Sequence, residues 1–308
     1  MDLNTWNMFW RLCFGFLATL IVAGNILNIW MFSKLRRRKR SSFLLIGLGA
    51  ADLLVGGLAI PLFIAAFESA SITTRRVFDL VDRFTSTSSI YTLAVISLER
   101  MFAIGWPLRH RTANFRIYIC AISIPWIIAA IFTVLIDVYV YIIKRDSVIY
   151  LLVFFPATPL LVMCVAYFVI WRKQKSPICN HSNVIREAKL ANTLFFITGA
   201  SVFTWLPFQI LILLVNLQIT ANFSHLQMTI FIIRVLQYSN SFVNVIIYPL
   251  RIPEFKNFLL HLLRCCVGPH QIFRAGVLPS AESGSVVSLV RFTSRQFLSP
   301  SSKRESAV

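Results

Sequence analysis

Charged residues are scarce in this sequence, and acidic ones are the scarcest. Only 14% of the 308 residues are charged and only 12 are Asp or Glu, whereas 57% are hydrophobic. One soluble core of this length cannot bury so much apolar surface. The composition therefore excludes an ordinary soluble domain and indicates a chain that needs lipid as a solvent.

Catalytic and covalent features are also missing. The cysteines are Cys13, Cys120, Cys164, Cys179, Cys265 and Cys266. Three lie in apolar runs and three in basic connections or after the last run, so we expect no extracellular disulfide. The five histidines lie in connections or near the ends of apolar runs, no Gly-x-Gly-Asp sequence occurs, and no internal repeat is present. We therefore expect neither an intramembrane protease nor, since many transporters carry repeats, a transporter.

Long apolar runs are abundant. Seven of them reach the roughly 20 residues that a helix needs to cross a bilayer. They lie near residues 9–33, 42–67, 77–104, 117–142, 147–171, 187–216 and 227–250. The sequence predicts an all-α fold, a bundle of seven transmembrane helices. The first run ends in a basic cluster without a cleavage site, so we expect a signal anchor.

The positions of the basic residues predict the orientation in the membrane. The first, third and fifth connections hold fourteen cations, against five in the N-terminus and the even connections. By the positive-inside rule, the N-terminus is extracellular and the C-terminus cytoplasmic in a multi-pass protein of the plasma membrane. The same distribution accounts for the net charge of +18 without nucleic acid as a partner.

Several polar residues lie at membrane depth, where each is a candidate for function. Asp52 is about 15 Å along its helix from the cytoplasmic end of the second span, and Ser89 is about 16 Å above Arg100. The predicted cluster consists of Asn25, Asp52, Ser89, Asn240, Ser241 and Asn244. It either holds a sodium ion or supplies interhelical hydrogen bonds. We expect no other cofactor and no other metal.

Two further groups lie at the ends of the third and sixth spans. At the inner end, Glu99 and Arg100 are predicted to lie at the depth of Glu187, so that an Arg100–Glu187 ion pair would join the spans and its rupture would open a cytoplasmic crevice. The alternative is a solvated pair without consequence. About 27 Å further out on each helix come Asp82 and Trp205. The predicted ligand site consists of Asp82, Arg83, Ser86, Trp205, Phe208, Arg234 and Tyr238.

These motifs, in this order, resemble those of the rhodopsin-like G-protein-coupled receptors. They are Gly24-Asn25, Leu48 to Asp52, Glu99-Arg100-Met101 in place of Asp-Arg-Tyr, Pro107-Leu108, Trp126, Pro159 with Tyr167, Trp205-Leu206-Pro207-Phe208 and Asn244-Val245-Ile246-Ile247-Tyr248. The resemblance implies an extracellular ligand, a heterotrimeric G protein as partner, and a short in-plane helix after the seventh span. It assigns Glu99, Arg100, Leu108, Tyr167, Glu187 and Tyr248 to switching and G-protein coupling.

The ligand class stays open at this point. Asp82 and Tyr238 are similar to residues of biogenic-amine receptors, where the aspartate pairs with the ligand ammonium. Arg234 or Arg83 would neutralise Asp82, which leaves a structural ion pair or a site for a zwitterionic or acidic ligand. A short second outer connection resembles that of melanocortin-type peptide receptors. Met101, Ser201 and Val245 depart from the family pattern, so a non-coupling decoy receptor is a further alternative.

The terminal segments carry candidate modification sites. We divide the chain into an extracellular N-terminus (1–8), a receptor domain with its in-plane helix (9–266) and a disordered cytoplasmic tail (267–308). Asn222 begins a glycosylation sequon. Cys265 and Cys266 suit palmitoylation, with inert thiols as the alternative. The Ser-rich tail suits phosphorylation and arrestin binding, or is merely solvating. The last three residues, Ser306 to Val308, resemble a ligand of PDZ-domain proteins.

Overall fold

A computed structural model describes residues 3–34, 40–69, 71–142, 148–174, 182–216 and 223–251. They fall within one compact unit, Met1–Leu262, and the second unit, Leu263–Val308, lies outside the described residues. Some helical side chains, including those of residues 182–194 and 248–251, are not described. The predicted in-plane helix, the tail and its modification sites therefore stay predictions.

Helix accounts for nearly all of the described chain. The helices are α1 (Leu3–Lys34), α2 (Arg40–Leu54), α3 (Ile60–Glu68), α4 (Ile72–Gly105), α5 (Pro107–Thr112), α6 (Phe115–Ile142), α7 (Val148–Gln174), α8 (Ser182–Asn216) and α9 (Phe223–Arg251). A π-helical turn, Val55–Ala59, joins α2 and α3 into one span. The seven predicted runs all fall on these helices, so the prediction of a seven-helix membrane bundle is confirmed.

The long helix α4 lies at the centre of the bundle. It packs against α2, α3, α6, α7 and α8, whereas α1 packs against α2, α3 and α9, and α8 packs against α9. Because of this position α4 contributes residues to the outer site, the membrane-depth cluster and the cytoplasmic end alike.

Five described stretches are long and apolar enough to cross a membrane: Asn7–Lys34, Ser42–Glu68, Phe115–Val140, Leu151–Lys173 and Gln227–Ile247. The helix α8 adds a shorter apolar stretch, Thr198–Leu214. The central helix α4 is too polar to meet that criterion. Several of its buried hydroxyls donate within the helix, as when Thr85 donates to the Val81 carbonyl (2.9 Å) and Thr92 to that of Ser88 (2.6 Å). A polar helix is therefore stable here because neighbouring helices shield it from lipid.

Glycines set the distance between α1 and its neighbours. A Cβ atom added at Gly24 would collide with the Val245 side chain of α9, and one at Gly56 would lie 2.8 Å from Cγ2 of Ile21. Gly56 lies in the π-helical turn, a local widening that shifts the register of a helix. The close approach of α1 to α3 and α9 builds an aromatic cluster in the outer half, with Phe14, Phe63 and Phe231 buried in it.

Candidate ligand site and cytoplasmic switch

Asp82 is the centre of the outer site. It lies buried on α4, and both of its carboxylate oxygens accept hydrogen bonds from α9. Nη1 of Arg234 donates to Oδ2 at 2.7 Å, and the Tyr238 hydroxyl donates to Oδ1 at 2.9 Å. The side chains of the pair are 15% (Arg234) and 9% (Asp82) exposed, so the ion pair is nearly but not completely sealed. One carboxylate thus links the third and seventh spans.

The Arg234 guanidinium lies within a set of aromatic rings. Its carbon is 4.5 Å from the ring centroid of Phe208, 5.5 Å from that of Phe78 and 5.8 Å from that of Phe63. These rings come from α8, α4 and α3, and each offers a cation–π contact. Nη1 also donates to Oε1 of Gln237 at 3.1 Å, one turn along the same helix. Four helices therefore hold this cation beside Asp82.

The structure separates one predicted ligand residue from the rest. Nε of Arg83 donates to the backbone carbonyl of Asp79 at 3.0 Å, and the hydrogen bonds of Asp82 in the described chain come from Arg234 and Tyr238 instead. Of the two arginines left open by the sequence, Arg234 is the one that pairs with Asp82.

The remaining predicted ligand residues lie below and beside this pair. Ser86 is buried one turn below Asp82 on α4. Trp205 is buried on α8, and its ring contacts that of Phe208 edge to face, with centroids 6.3 Å apart. Through Phe208 the tryptophan is connected to the Arg234 guanidinium.

The polar cluster at membrane depth is assembled around Asp52. The Ser89 hydroxyl donates to Oδ1 at 2.7 Å, the Ser241 hydroxyl donates to the same oxygen at 2.8 Å, and Nδ2 of Asn244 donates to Oδ2 at 2.8 Å. Nδ2 of Asn25 donates to the Ser241 backbone carbonyl at 3.3 Å. Three spans, the second, third and seventh, thus meet at one buried carboxylate, with the first span attached through Asn25.

This cluster also contains side-chain oxygens that are able to accept a further hydrogen bond or to bind a cation. Oδ1 of Asn25, Asn240 and Asn244 is buried and accepts no hydrogen bond from any residue that the structure describes. A carboxylate with neutral carbonyl oxygens around it is the donor set that hard cations prefer. The residues present therefore fit a small cation such as sodium.

The cytoplasmic end of α4 is organised by Glu99. Its carboxylate forms a salt bridge with the neighbouring Arg100, and Oε1 lies 2.8 Å from Nε2 of His110 on α5. The Tyr118 hydroxyl on α6 lies 2.9 Å from the same imidazole nitrogen. Arg100 itself is 2% exposed. The cation of the switch motif is thus held by Glu99, and Glu99 is in turn held from α5.

Of the other residues assigned to the switch, the structure describes the side chains of Tyr167 and Leu108 but not those of Glu187 and Tyr248. The Ser97 hydroxyl lies 3.5 Å from that of Tyr167, which puts Tyr167 beside the inner end of α4. Leu108 on α5 is 79% exposed. The side chains of Glu187 and Tyr248 lie outside the described residues, so the Arg100–Glu187 pair stays a prediction. Asn222, Cys265 and Cys266 lie outside them as well.

Sequence reasoning missed five residues that complete these groups: Phe63, Phe78, Gln237, His110 and Tyr118. Gln237 had a local signal, since it follows Arg234 by three residues and therefore lies on the same helix face. His110 could have been found from its place three residues after Pro107, which begins a helix. Phe63, Phe78 and Tyr118 had no signal, because aromatic residues are frequent throughout the spans.

Comparison with known proteins agrees with the resemblance that the sequence motifs show. The family model described as 7 transmembrane receptor (rhodopsin family) matches residues 24–146 and 139–248, which is more than half of the chain.

Two of the curated relatives match over most of their length at low identity, and a third matches over a shorter segment at higher identity. The adenosine receptor A3 of Bos taurus is 26% identical over 280 residues, covering 80% of this chain and 86% of that receptor. The histamine H2 receptor of Cavia porcellus is 27% identical over 304 residues, covering 86% of this chain and 82% of that receptor. Dopamine receptor 4 of Caenorhabditis elegans is 36% identical over 124 residues, covering 37% of this chain and 24% of that receptor.

Proposed function

The chain belongs to the rhodopsin family of seven-transmembrane receptors, and from that premise we propose that its ligand carries a protonated amine that binds Asp82. The protein is a multi-pass membrane protein and a G-protein-coupled receptor, not an enzyme. What the proposal adds is the class of ligand and the residue that receives it.

The observation that carries this proposal is the buried carboxylate of Asp82, which is already paired with a cation. It is buried, and its two oxygens accept one hydrogen bond from a cation and one from a phenol. A ligand ammonium can take the place of Nη1 of Arg234 while Tyr238 keeps its hydrogen bond, so the exchange leaves the carboxylate paired. Two of the relatives reported above are named for histamine and dopamine, which are amines.

Exchange of partners at Asp82 supplies a route to activation. A ligand that replaces Arg234 weakens the link between α4 and α9, and it thereby favours the state in which that link is open. We propose that α8 then moves outward about Pro207, above which the ligand lies. At the cytoplasmic end this movement would release Arg100 from Glu99 and Glu187 and would present Arg100 and Leu108 to a G protein.

We further propose that the Asp52 cluster binds sodium. The three buried amide oxygens without a hydrogen-bond donor support this, as does a carboxylate that already receives hydrogen bonds from two hydroxyls. A bound cation would supply charge compensation to Asp52, whereas Ser89, Ser241 and Asn244 would orient the carboxylate toward it.

The cellular setting is likewise a proposal. The distribution of basic residues supports an N-terminus outside the cell and a C-terminus in the cytoplasm, and membership of the receptor family supports the plasma membrane. Arrestin, a PDZ-domain protein and membrane lipid attached at Cys265 and Cys266 are the partners that the composition of the C-terminal segment suggests.

The substitution Asp82→Asn tests the ligand site. We expect activation by histamine, dopamine or tyramine to become at least about 100-fold less potent, because the ammonium loses a buried charged partner. G-protein activation would be measured in cells at matched surface levels. The control is Asp79→Asn, the same change one turn outward on α4. Unchanged potency in Asp82→Asn, or an equal loss in both variants, contradicts the proposal.

A further inference from the structure

We infer that the ligand carries an oxyanion beside its amine, as an α-amino acid does, and that the oxyanion binds the open edge of Arg234. This inference rests on the proposed function, since it assumes that the ligand amine binds Asp82. It adds a second recognition element at the same site and narrows the ligand from an amine to a zwitterion.

The first argument is the hydrogen bonding of Arg234. A guanidinium has five N–H donors. In the described part of the chain, both hydrogen bonds of Arg234 leave from Nη1, one to Asp82 and one to Gln237. No hydrogen bond to a described residue leaves from Nε or Nη2. The Arg234 side chain is 15% exposed, so part of it is accessible from outside the helices. These two nitrogens form one side of the planar group, the side that receives both oxygens of a carboxylate.

The second argument is that this cation is held in place. Phe208, Phe78 and Phe63 surround the guanidinium carbon at 4.5–5.8 Å, and Nη1 donates to Gln237, a contact that remains when the ligand replaces Arg234 at Asp82. An arginine fixed in this way presents its free edge without having to be ordered by the ligand. Preorganised donors of this kind raise affinity because the cost of ordering has already been met on folding.

The third argument is the charge balance of the site. Asp82 is neutralised by Arg234, so a simple amine adds a positive charge next to an existing cation. A zwitterion adds no net charge, since its ammonium takes Asp82 and its carboxylate takes the freed guanidinium. Because Asp82 and Arg234 are in contact, the ligand charges must also be close together, and an α-amino acid places both on one carbon. The surrounding rings favour an aromatic side chain on that carbon.

Matched pairs of compounds test this inference. Histidine and histamine, tyrosine and tyramine, and dihydroxyphenylalanine and dopamine each differ by one carboxylate. On the wild-type receptor we expect at least one amino acid to activate, and its amine to be at least about tenfold weaker. In Arg234→Gln we expect the preference to reverse. The amino acid loses at least about tenfold in potency, and the amine gains about as much, because Asp82 no longer has a competing cation.

Two further variants test whether a change in ligand potency comes from lost recognition of the carboxylate or from a folding defect. Arg234→Lys keeps a cation for Asp82 but lacks the planar edge, so it should lower the potency of the amino acid without raising that of the amine. Arg83→Gln is the matched control, since Arg83 binds a backbone carbonyl of its own helix and should leave both potencies unchanged. Surface expression and thermal stability of each purified variant show whether it folds.

The outcomes distinguish this inference from the proposed function. Suppose that amines activate the wild type at least as well as the amino acids, and that Arg234→Gln leaves the ratio of the two potencies unchanged. The oxyanion inference is then refuted, while the proposal that an amine binds Asp82 still stands. If none of the six compounds activates the wild type or Arg234→Gln at confirmed surface levels, both are refuted. If Arg234→Gln reverses the preference for the amino acid over its amine, and Asp82→Asn abolishes the response to amines, the inference and the proposed function are both supported.

Discussion

Two buried carboxylates organise this receptor at the scale of single residues. Asp82 and Asp52 lie at different depths, and each accepts hydrogen bonds from side chains of α9. A buried charge is stable only when it is paired and hydrogen-bonded, so each aspartate specifies how α9 is rotated and how deep it lies. The proposed ligand site and the proposed sodium site are therefore both coupled to the position of the seventh span.

Sodium binding at Asp52 can be tested by a single substitution. We expect the melting temperature of the purified wild-type receptor to be several degrees higher in sodium chloride than in choline chloride, because a ligand that binds only the folded state stabilises it. In Asp52→Asn this difference should vanish, since the neutral amide has lost the charge that attracts the ion. Asp79→Asn, with its carboxyl group on the exposed outer part of α4, should keep it. An equal response to both salts in the wild type would rule the site out.

His110 is predicted to restrain the switch through Glu99. His110→Phe preserves the ring but removes the contacts with Glu99 and Tyr118, which lie at 2.8 and 2.9 Å. We expect basal G-protein activation to rise at least about twofold, since roughly 0.4 kcal/mol already doubles a population ratio. The control is Arg109→Ala at the exposed neighbouring position. Basal activity that is unchanged in His110→Phe, or raised equally in both variants, would show that this contact is not part of the restraint.

At the scale of helices, α1 and α9 are in close contact at a position where the seventh-span motif departs from the family pattern. The seventh-span motif has Val245 where the family has proline, and Val245 packs directly against Gly24. A branched side chain on one helix and no side chain on the other allow the two backbones to approach. The glycine of the first span is thus required by its partner rather than by its own conformation.

The substitution Gly24→Ala tests this packing. We expect a loss of about 1–3 kcal/mol in stability, because the new methyl group overlaps the Val245 side chain. Thermal unfolding in detergent would measure it. Gly15→Ala is the matched control, since no atom lies within 4 Å of a Cβ at that position. The double variant Gly24→Ala/Val245→Ala should recover much of the loss. Equal melting temperatures of Gly24→Ala and Gly15→Ala would contradict the account.

The outer ends of α4 and α6 show how helices are joined without a disulfide. Arg76 donates to Asp137 through Nε at 3.3 Å and through Nη2 at 2.7 Å. The outer part of α4 carries Arg75 and Arg76, and the second of them forms the ion pair. Because Arg76 is about half exposed, such a pair is reversible and weak compared with a covalent bond.

For the whole molecule, the proposed orientation in the membrane rests on where the basic residues lie. We expect an epitope fused before Met1 to be stained on intact cells, and one fused after Val308 to be stained only after permeabilisation. The reason is that lysine and arginine near short connections are retained in the cytoplasm during insertion. Staining of each fusion with and without detergent provides the measurement. Surface staining of the C-terminal epitope on intact cells would overturn the predicted topology.

Much of the fold was accessible from the sequence because span formation is a local property. A run of about 20 apolar residues forms a helix in lipid whatever surrounds it, since backbone groups must be satisfied within the segment. The central helix α4 was recognised by its flanking motifs as well as by its apolar run. The π-helical turn was not predicted, because Gly56 and Gly57 are equally compatible with a regular helix.

The partners of the buried charges were accessible only in part. The sequence offered Arg234 and Arg83 for Asp82, and only the rotation of α4 against α9 decided between them. It offered Glu187 for Arg100, and that pair stays a prediction; the structure adds Glu99 as a partner of Arg100, itself held by His110 from α5. Side chains on different helices meet according to helix rotation and tilt, which depend on packing along the whole interface.

The sequence by itself determined the seven spans, the membrane setting and the receptor family, since these depend on the length of apolar runs and on motifs within single helices. Only the tertiary structure decided that Asp82 is already paired with an arginine, that the described hydrogen bonds of this arginine leave from Nη1, and that Asp52 joins three spans. Those features arise where helices distant in sequence bring a cation or neutral hydrogen-bond donors to a carboxylate, because burying a charge is costly unless it is paired or hydrogen-bonded.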